Sequence, residues 1–125
     1  MGKIPVEFGV LMLNHPSWYE DITKKVPTIP EGWETCCIQV SWALNKSGAR
    51  IKNTGGNVGL VDKNGNYIIR VSTMRDYLNN EYFEAENYQG GERIAKISQI
   101  VDRTGIIAFG DRHIDLWNRT HIHRP

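Results

Sequence analysis

The chain has 125 residues, of which 40% are hydrophobic and 23% charged, and this length and composition predict one globular domain over residues 1–125. The formal net charge is +1 and there is no basic run, which argues against a partner that is a nucleic acid or an anionic membrane surface. No apolar stretch approaches the roughly 20 residues of a membrane-spanning helix.

The N-terminal segment lacks a sustained apolar region and a small-residue cleavage site, so we expect no secretory signal peptide. Apolar residues at helical spacing predict a helix over residues 6–13 that ends before Pro16. His15 precedes this proline, and we expect it to be a surface or packing residue.

Two adjacent cysteines lie at the predicted start of a second helix. Thr35 is a candidate N-cap, and apolar residues at helical spacing predict a helix from about Cys36 to Asn45. A thiol in the first turn of a helix meets the positive end of the helix dipole and unsatisfied N–H groups, which favour the thiolate. We therefore predict that Cys36 is a nucleophile and that Cys37, on the apolar stripe, is structural. Side chains at neighbouring helix positions diverge by about 100°, so we expect no disulfide between them.

The middle of the chain contains turns and short periodic segments rather than one long pattern. The predicted elements are turns within residues 52–65, a strand at 67–71, a helix capped at Ser72 or Thr73, a loop at 79–91 and a short helix at 94–101.

The C-terminal part predicts a buried strand at residues 106–109, a tight turn and a second strand. His113, Asp115 and Trp117 share one face of this second strand because alternate strand residues point the same way. A cysteine on an early helix and a histidine on a late strand is the chain order of papain-like cysteine hydrolases. His113 is therefore the candidate base for Cys36.

Several short motifs occur in a fixed order along the chain. They are T-C-x-I-x-x-S-x-A-L-N at residues 35–45, S-G-x-x-I at 47–51, Y-I-x-R-V at 67–71, Y-L at 77–78, G-I-I at 105–107 and H-I-D-L-W at 113–117. From about Phe8 to Trp117 the chain resembles the fourth group of type VI secretion amidase effectors. The resemblance implies an α+β, papain-like cysteine hydrolase fold in which N-terminal helices are followed by a small antiparallel sheet.

The resemblance also implies a function. The family's enzymes need no metal or cofactor and cut the peptide stems of peptidoglycan in rival bacteria, here between the D-glutamate γ-carboxyl and the diamino acid. Cys36 matches the family's nucleophile and His113 its histidine. The implied partners are the stem peptide and an immunity protein that blocks the cleft, and the implied place of action is the periplasm of the target cell after secretion.

The group that orients the histidine is the point of departure from the family, which carries an acidic residue on the next strand. If residues 118–119 form a two-residue turn, His113 faces Arg124, which cannot accept a hydrogen bond. A three-residue turn would instead place His123 opposite Asp115. The candidates are therefore Asp115, then His123, then none.

Three further features of the site can be predicted. The backbone N–H of Cys36 is the expected oxyanion donor. Trp33 lies three residues before Cys36 and is a candidate wall of the substrate groove, although a structural role is equally consistent with its position. Arg112, at the hairpin tip, replaces the family's usual glycine and should change the mouth of the cleft. His121 and His123 are too weak a signal for a metal site, and we predict none.

Two classes of function remain open. The first is the cysteine amidase; the second is a non-catalytic or weakened module that keeps the papain-like groove and recognises cell-wall fragments. A low Cys36 pKa with His113 within hydrogen-bond reach favours the enzyme, whereas a buried, unreactive Cys36 favours the binding module. An acyltransferase of related geometry is a third idea, but no acyl-chain tunnel or membrane anchor is predicted.

Overall fold

The computed structural model describes residues 4–16, 21–82, 96–119 and 121–122. Within them, helices precede a small antiparallel sheet, which confirms the predicted α+β class. None of the described helices is long and apolar enough to cross a membrane. The elements are α1 (Phe8–Asn14), α2 (Ile22–Lys25), α3 (Cys36–Lys46), β1 (Leu60–Asp62), β2 (Gly65–Tyr67), α4 (Val71–Tyr82), β3 (Thr104–Phe109), β4 (His113–Asn118) and β5 (His121–Ile122).

The central element is α3, which confirms the helix predicted from Cys36. Every residue from Cys36 to Asn45 is buried, because the helix contacts α1, β2 and β4. One side of α3 joins a core cluster that includes Ile114 and Leu116 of β4, and another side packs in a second cluster around Tyr67. A helix that is buried all round holds its first residue firmly in place.

The C-terminal sheet has the order β3-β4-β5, and β4 is its middle strand. Phe109 pairs with His113, which leaves a three-residue turn at residues 110–112. On the other side of β4, Trp117 pairs with Ile122 and Asn118 with His121.

This second pairing shows that both predicted registers are wrong. Because Asn118 pairs with His121, the register is two residues from the one that set His113 against Arg124 and one residue from the one that set His123 against Asp115. Arg119 adopts a positive φ of 65°, a conformation that glycine favours. An arginine at this position does not predict that conformation.

Other parts of the chain also differ from the prediction, including the loop predicted at 79–91, whose first four residues belong to α4 because that helix ends at Tyr82. The strand predicted at 67–71 ends at Tyr67, and α4 begins at Val71, before the predicted caps. The reason is that the N–H of Ile68 donates to Ser41 Oγ at 3.0 Å instead of to a strand partner. The short helix predicted at 94–101 is a 3-10 turn at Ile97–Gln99, and α2 is not predicted at all.

Candidate active site

Cys36 is the first residue of α3, and both cysteines are free thiols. Thr35 occupies the N-cap position, but its side chain makes no capping hydrogen bond; its hydroxyl accepts one from Gln39 Nε2 at 3.1 Å instead. This contact ties the loop before Cys36 to the first turn of α3. Because a helix begins here, the N–H of Cys36 has no carbonyl four residues back within α3, so it is available as an oxyanion donor.

The two thiols are arranged asymmetrically. Cys36 is 7% exposed and Cys37 is fully buried. The side chain of the neighbouring Cys37 is the main cause that lowers the pKa of Cys36 to about 5. The backbone N–H of Ile114 and the charge and side chain of His113 lower this pKa further, against the opposing effect of burial.

The same contact has the opposite effect on Cys37. The neighbouring Cys36 side chain and burial raise the pKa of the Cys37 thiol, so it stays protonated. Cys37 therefore does more than fill the core, because it stabilises the thiolate beside it.

His113 begins β4, and Asp115 follows two residues later on the same strand. Their side chains meet, with His113 Nε2 3.1 Å from Asp115 Oδ2. Asp115 is 1% exposed, and its other oxygen, Oδ1, accepts the N–H of Leu116 at 2.8 Å. With Nε2 engaged by the carboxylate, Nδ1 is the ring nitrogen left to exchange a proton with Cys36. The structure thus brings Cys36, His113 and Asp115 together.

His15 is a residue that the sequence analysis missed. It is 1% exposed, which agrees with the packing alternative and not with the surface one, and its Nε2 is 3.5 Å from Asp115 Oδ1. No pattern in the sequence signals this contact, because the two residues belong to elements at opposite ends of the chain. The carboxylate of Asp115 thus lies between two imidazole rings.

An open groove of about 670 Å³ borders the loop before Cys36. Trp33, which is 41% exposed, lies on its wall. Arg112 is exposed at the β3–β4 turn and does not line this groove. The lining residues are Gly32, Trp33, Glu34, Gly56, Asn57, Val58, Gly59, Ile69, Arg70 and Thr73.

Glycine keeps this groove in shape at one point. A Cβ atom on Gly59 would clash with the Ile69 side chain at Cγ1, so glycine at this position lets the two segments of the wall approach closely.

Two other predictions concern His123 and a metal site. His123, the alternative orienting residue, lies outside the described residues. Among the residues that are described, no three His, Cys, Asp or Glu side chains lie together where they could hold a metal ion.

Comparison with known proteins identifies the family. The chain matches, over residues 33–124, the model of the family described as "Type VI secretion system (T6SS), amidase effector protein 4" (Tae4). This match covers most of the chain and includes both Cys36 and His113. No curated protein sequence matches it significantly.

Solved structures of effectors from two bacteria share the fold. Tae4 of Salmonella typhimurium, from a structure of the Tae4/Tai4 effector–immunity system, is 21% identical, with 95% of this chain and 87% of that chain covered and a TM-score of 0.68. Tae4 from Enterobacter cloacae is 17% identical, with 98% and 87% covered and a TM-score of 0.69. These likenesses confirm the predicted papain-like fold. The chain belongs to the Tae4 family of type VI secretion amidase effectors.

Proposed function

We propose that the chain is a cysteine amidase that hydrolyses an amide bond in the peptide stem of bacterial peptidoglycan, between the D-glutamate γ-carboxyl and the diamino acid. The observation that carries the proposal is the thiol of Cys36, whose pKa is lowered to about 5 at a helix start beside His113. Membership of an amidase effector family supports the same chemistry.

The reaction follows from the groups in the site. The Cys36 thiolate attacks the γ-carbonyl carbon, and the negative oxygen that forms accepts a hydrogen bond from the N–H of Cys36. The imidazolium of His113 gives its proton to the leaving amine, which leaves a thioester on Cys36. His113 then removes a proton from water, which attacks the thioester and releases the γ-carboxylate. Asp115 orients the imidazole through both steps.

The groove beside Trp33 is the proposed binding site for the peptide next to the cut bond. Trp33 is three residues from Cys36, so their Cα atoms are separated by at most about 11 Å, the length of three or four extended peptide residues. Arg70 is exposed on the same groove, and stem peptides carry free carboxylates. A guanidinium binds a carboxylate through two parallel hydrogen bonds, so Arg70 would hold one of these groups.

The family and its solved complexes also suggest where the protein acts and what restrains it. We propose that residues 1–125 act as one catalytic domain in the periplasm of a target bacterium after type VI delivery. An effector and its immunity protein form the Tae4/Tai4 system of Salmonella typhimurium. We propose a corresponding immunity protein for this chain, which would occlude the cleft at Cys36.

Digestion of purified muropeptides tests the proposal. Wild type and Cys36→Ala are compared by mass spectrometry of the stem peptides, with circular dichroism to show that both are folded. New fragments from the wild type alone, cut after D-glutamate, are the expected result. If folded wild type releases no fragments, the amidase proposal is wrong, and binding of intact muropeptides by both proteins would then support a cell-wall recognition module.

A further inference from the structure

The carboxylate of Asp115 is buried between the imidazole rings of His113 and His15. Its Oδ2 meets His113 at 3.1 Å, and its Oδ1 accepts the N–H of Leu116 at 2.8 Å. His15 Nε2 lies 3.5 Å from the same Oδ1. A buried carboxylate requires partners for both oxygens, since an uncompensated charge is strongly disfavoured away from water.

The two histidines differ in exposure. The side chain of His113 is 28% exposed and that of His15 is 1% exposed. His113 must remain open because it meets the substrate and exchanges protons. His15 is buried and does not meet a substrate directly, and its contact with Asp115 is a path by which it can affect the reaction.

The backbone holds His15 where it can do this. His15 follows α1, and its N–H donates to the carbonyl of Met12 at 3.2 Å. The next residue is Pro16, which restricts His15 to the extended conformation observed, with φ −76° and ψ 123°. Asn14 Nδ2 donates to Ser47 Oγ at 3.2 Å, which anchors the end of α1 to the end of α3.

We propose that His15 is a positioning residue of the amidase site, which holds the Asp115 carboxylate in the orientation that directs His113 toward Cys36. Its effect on turnover rests on the proposed function, but its effect on the reactivity of the Cys36 thiol does not. Two readouts can therefore separate the two proposals.

The test compares His15→Leu, which removes the ring nitrogen, with His15→Gln, which keeps an N–H donor near the position of Nε2. The readouts are kcat and KM on muropeptides and the pH dependence of Cys36 alkylation by iodoacetamide. For His15→Leu we expect kcat to fall by about 10- to 100-fold with KM little changed, because small displacements of catalytic groups have effects of this size. The midpoint of alkylation should move to higher pH. His15→Gln should restore most of both losses.

Leu11→Ala is the matched control, because Leu11 is also buried on α1 but belongs to the apolar core. It should lower the melting temperature and leave the alkylation midpoint unchanged. A folded His15→Leu with the wild-type midpoint would overturn the proposal, as would an equal shift in Leu11→Ala. If His15→Leu does not fold, His15→Asn replaces it, since its shorter amide cannot reach the position of Nε2. Equal midpoints for the Asn and Gln variants would then contradict the proposal.

If the wild type cleaves no muropeptide, the alkylation midpoints alone test the positioning role of His15. A shift in His15→Leu that His15→Gln reverses would uphold the positioning role while the amidase proposal fails. Unchanged midpoints would reject both.

Discussion

His113 Nε2 and Asp115 Oδ2 meet at 3.1 Å although the two residues lie on the same strand, separated only by Ile114. The strand periodicity of two makes this contact local, so the acid that orients the histidine can come from the strand that carries it. The family that the sequence resembles carries the corresponding acidic residue on the next strand instead.

The first prediction concerns Asp115→Asn. Asp115 accepts hydrogen bonds on both oxygens, but an amide has one oxygen and one NH₂ group. One of its two partners, His113 or Leu116, would therefore face a donor instead of an acceptor. We expect kcat to fall by about 100-fold or more, as when an imidazole is held in the wrong tautomer, with a much smaller change in KM. Steady-state kinetics on muropeptides measures both constants.

Asp76→Asn is the control for this substitution, because Asp76 is exposed on α4. It should have wild-type kinetics. Wild-type kcat in Asp115→Asn would show that Asp115 has no part in the reaction.

The second prediction concerns the pH dependence of Cys36. The pKa of Cys36 is lowered to about 5, so nearly all of the Cys36 thiol is ionised at pH 7. The thiolate becomes protonated as the pH falls through that value. We expect the rate of alkylation by iodoacetamide to rise to a midpoint near pH 5 and to be flat between about pH 6 and 8. An ordinary thiol would instead react about tenfold faster for each pH unit in that range. Mass spectrometry of the labelled peptide measures the rate, and Cys36→Ala shows which signal belongs to Cys36.

The third prediction separates the contribution of Cys37. Its thiol provides the largest effect that lowers the pKa of Cys36, so Cys37→Ala should move the alkylation midpoint to higher pH. Cys37→Ser keeps a hydroxyl donor at the same position and should recover part of the shift. If the alanine and serine variants share the wild-type midpoint, the Cys37 side chain has no influence on the pKa of Cys36.

The parts of the site that follow from local periodicity could be predicted from the sequence. The helix beginning at Cys36 and the shared face of His113 and Asp115 need only the periods of 3.6 and 2.0 residues. The contact of His15 with Asp115 could not be predicted, because it depends on how α1 packs against the rest of the fold.

Two errors in the prediction of the fold from the sequence have local physical causes. Residues 67–71 have the apolar composition of a strand, yet the N–H of Ile68 is taken by Ser41, so strand pairing ends there. The β4–β5 turn depends on a positive φ at Arg119, which side chains with a Cβ rarely adopt. An arginine gives no sign in the sequence that the chain will adopt this left-handed conformation at its position.

The fourth prediction tests the groove. Trp33→Ala removes an exposed ring and Arg70→Gln removes the guanidinium, both from the groove wall. Each should raise KM for muropeptides by about 10-fold, equivalent to roughly 1.4 kcal/mol of binding, with little change in kcat. Substrates whose stem carboxylates are amidated should show no further loss with Arg70→Gln. Arg50→Gln, an exposed arginine outside the groove, is the control and should behave as wild type. An unchanged KM in both groove variants would place the substrate elsewhere.

The fifth prediction concerns stability at the other end of α3. Asn45 is buried, and its Oδ1 accepts the N–H of Ile51 at 2.8 Å while its Nδ2 donates to the carbonyl of Asn66 at 2.8 Å. Asn45→Ala would leave both backbone groups without these partners, which should lower the free energy of unfolding by about 2–4 kcal/mol. Urea unfolding measures the loss.

Asn53→Ala, at an exposed loop position, is the matched control and should change the free energy of unfolding by less than about 0.5 kcal/mol. Because α3 runs from Cys36 to Lys46, Asn45 lies at the far end of the helix from the nucleophile. At temperatures at which Asn45→Ala is still folded, it should therefore keep the wild-type alkylation midpoint of Cys36. A stability equal to that of Asn53→Ala would contradict a structural role for the Asn45 amide, and a shifted midpoint would mean that distortion at one end of α3 reaches the other.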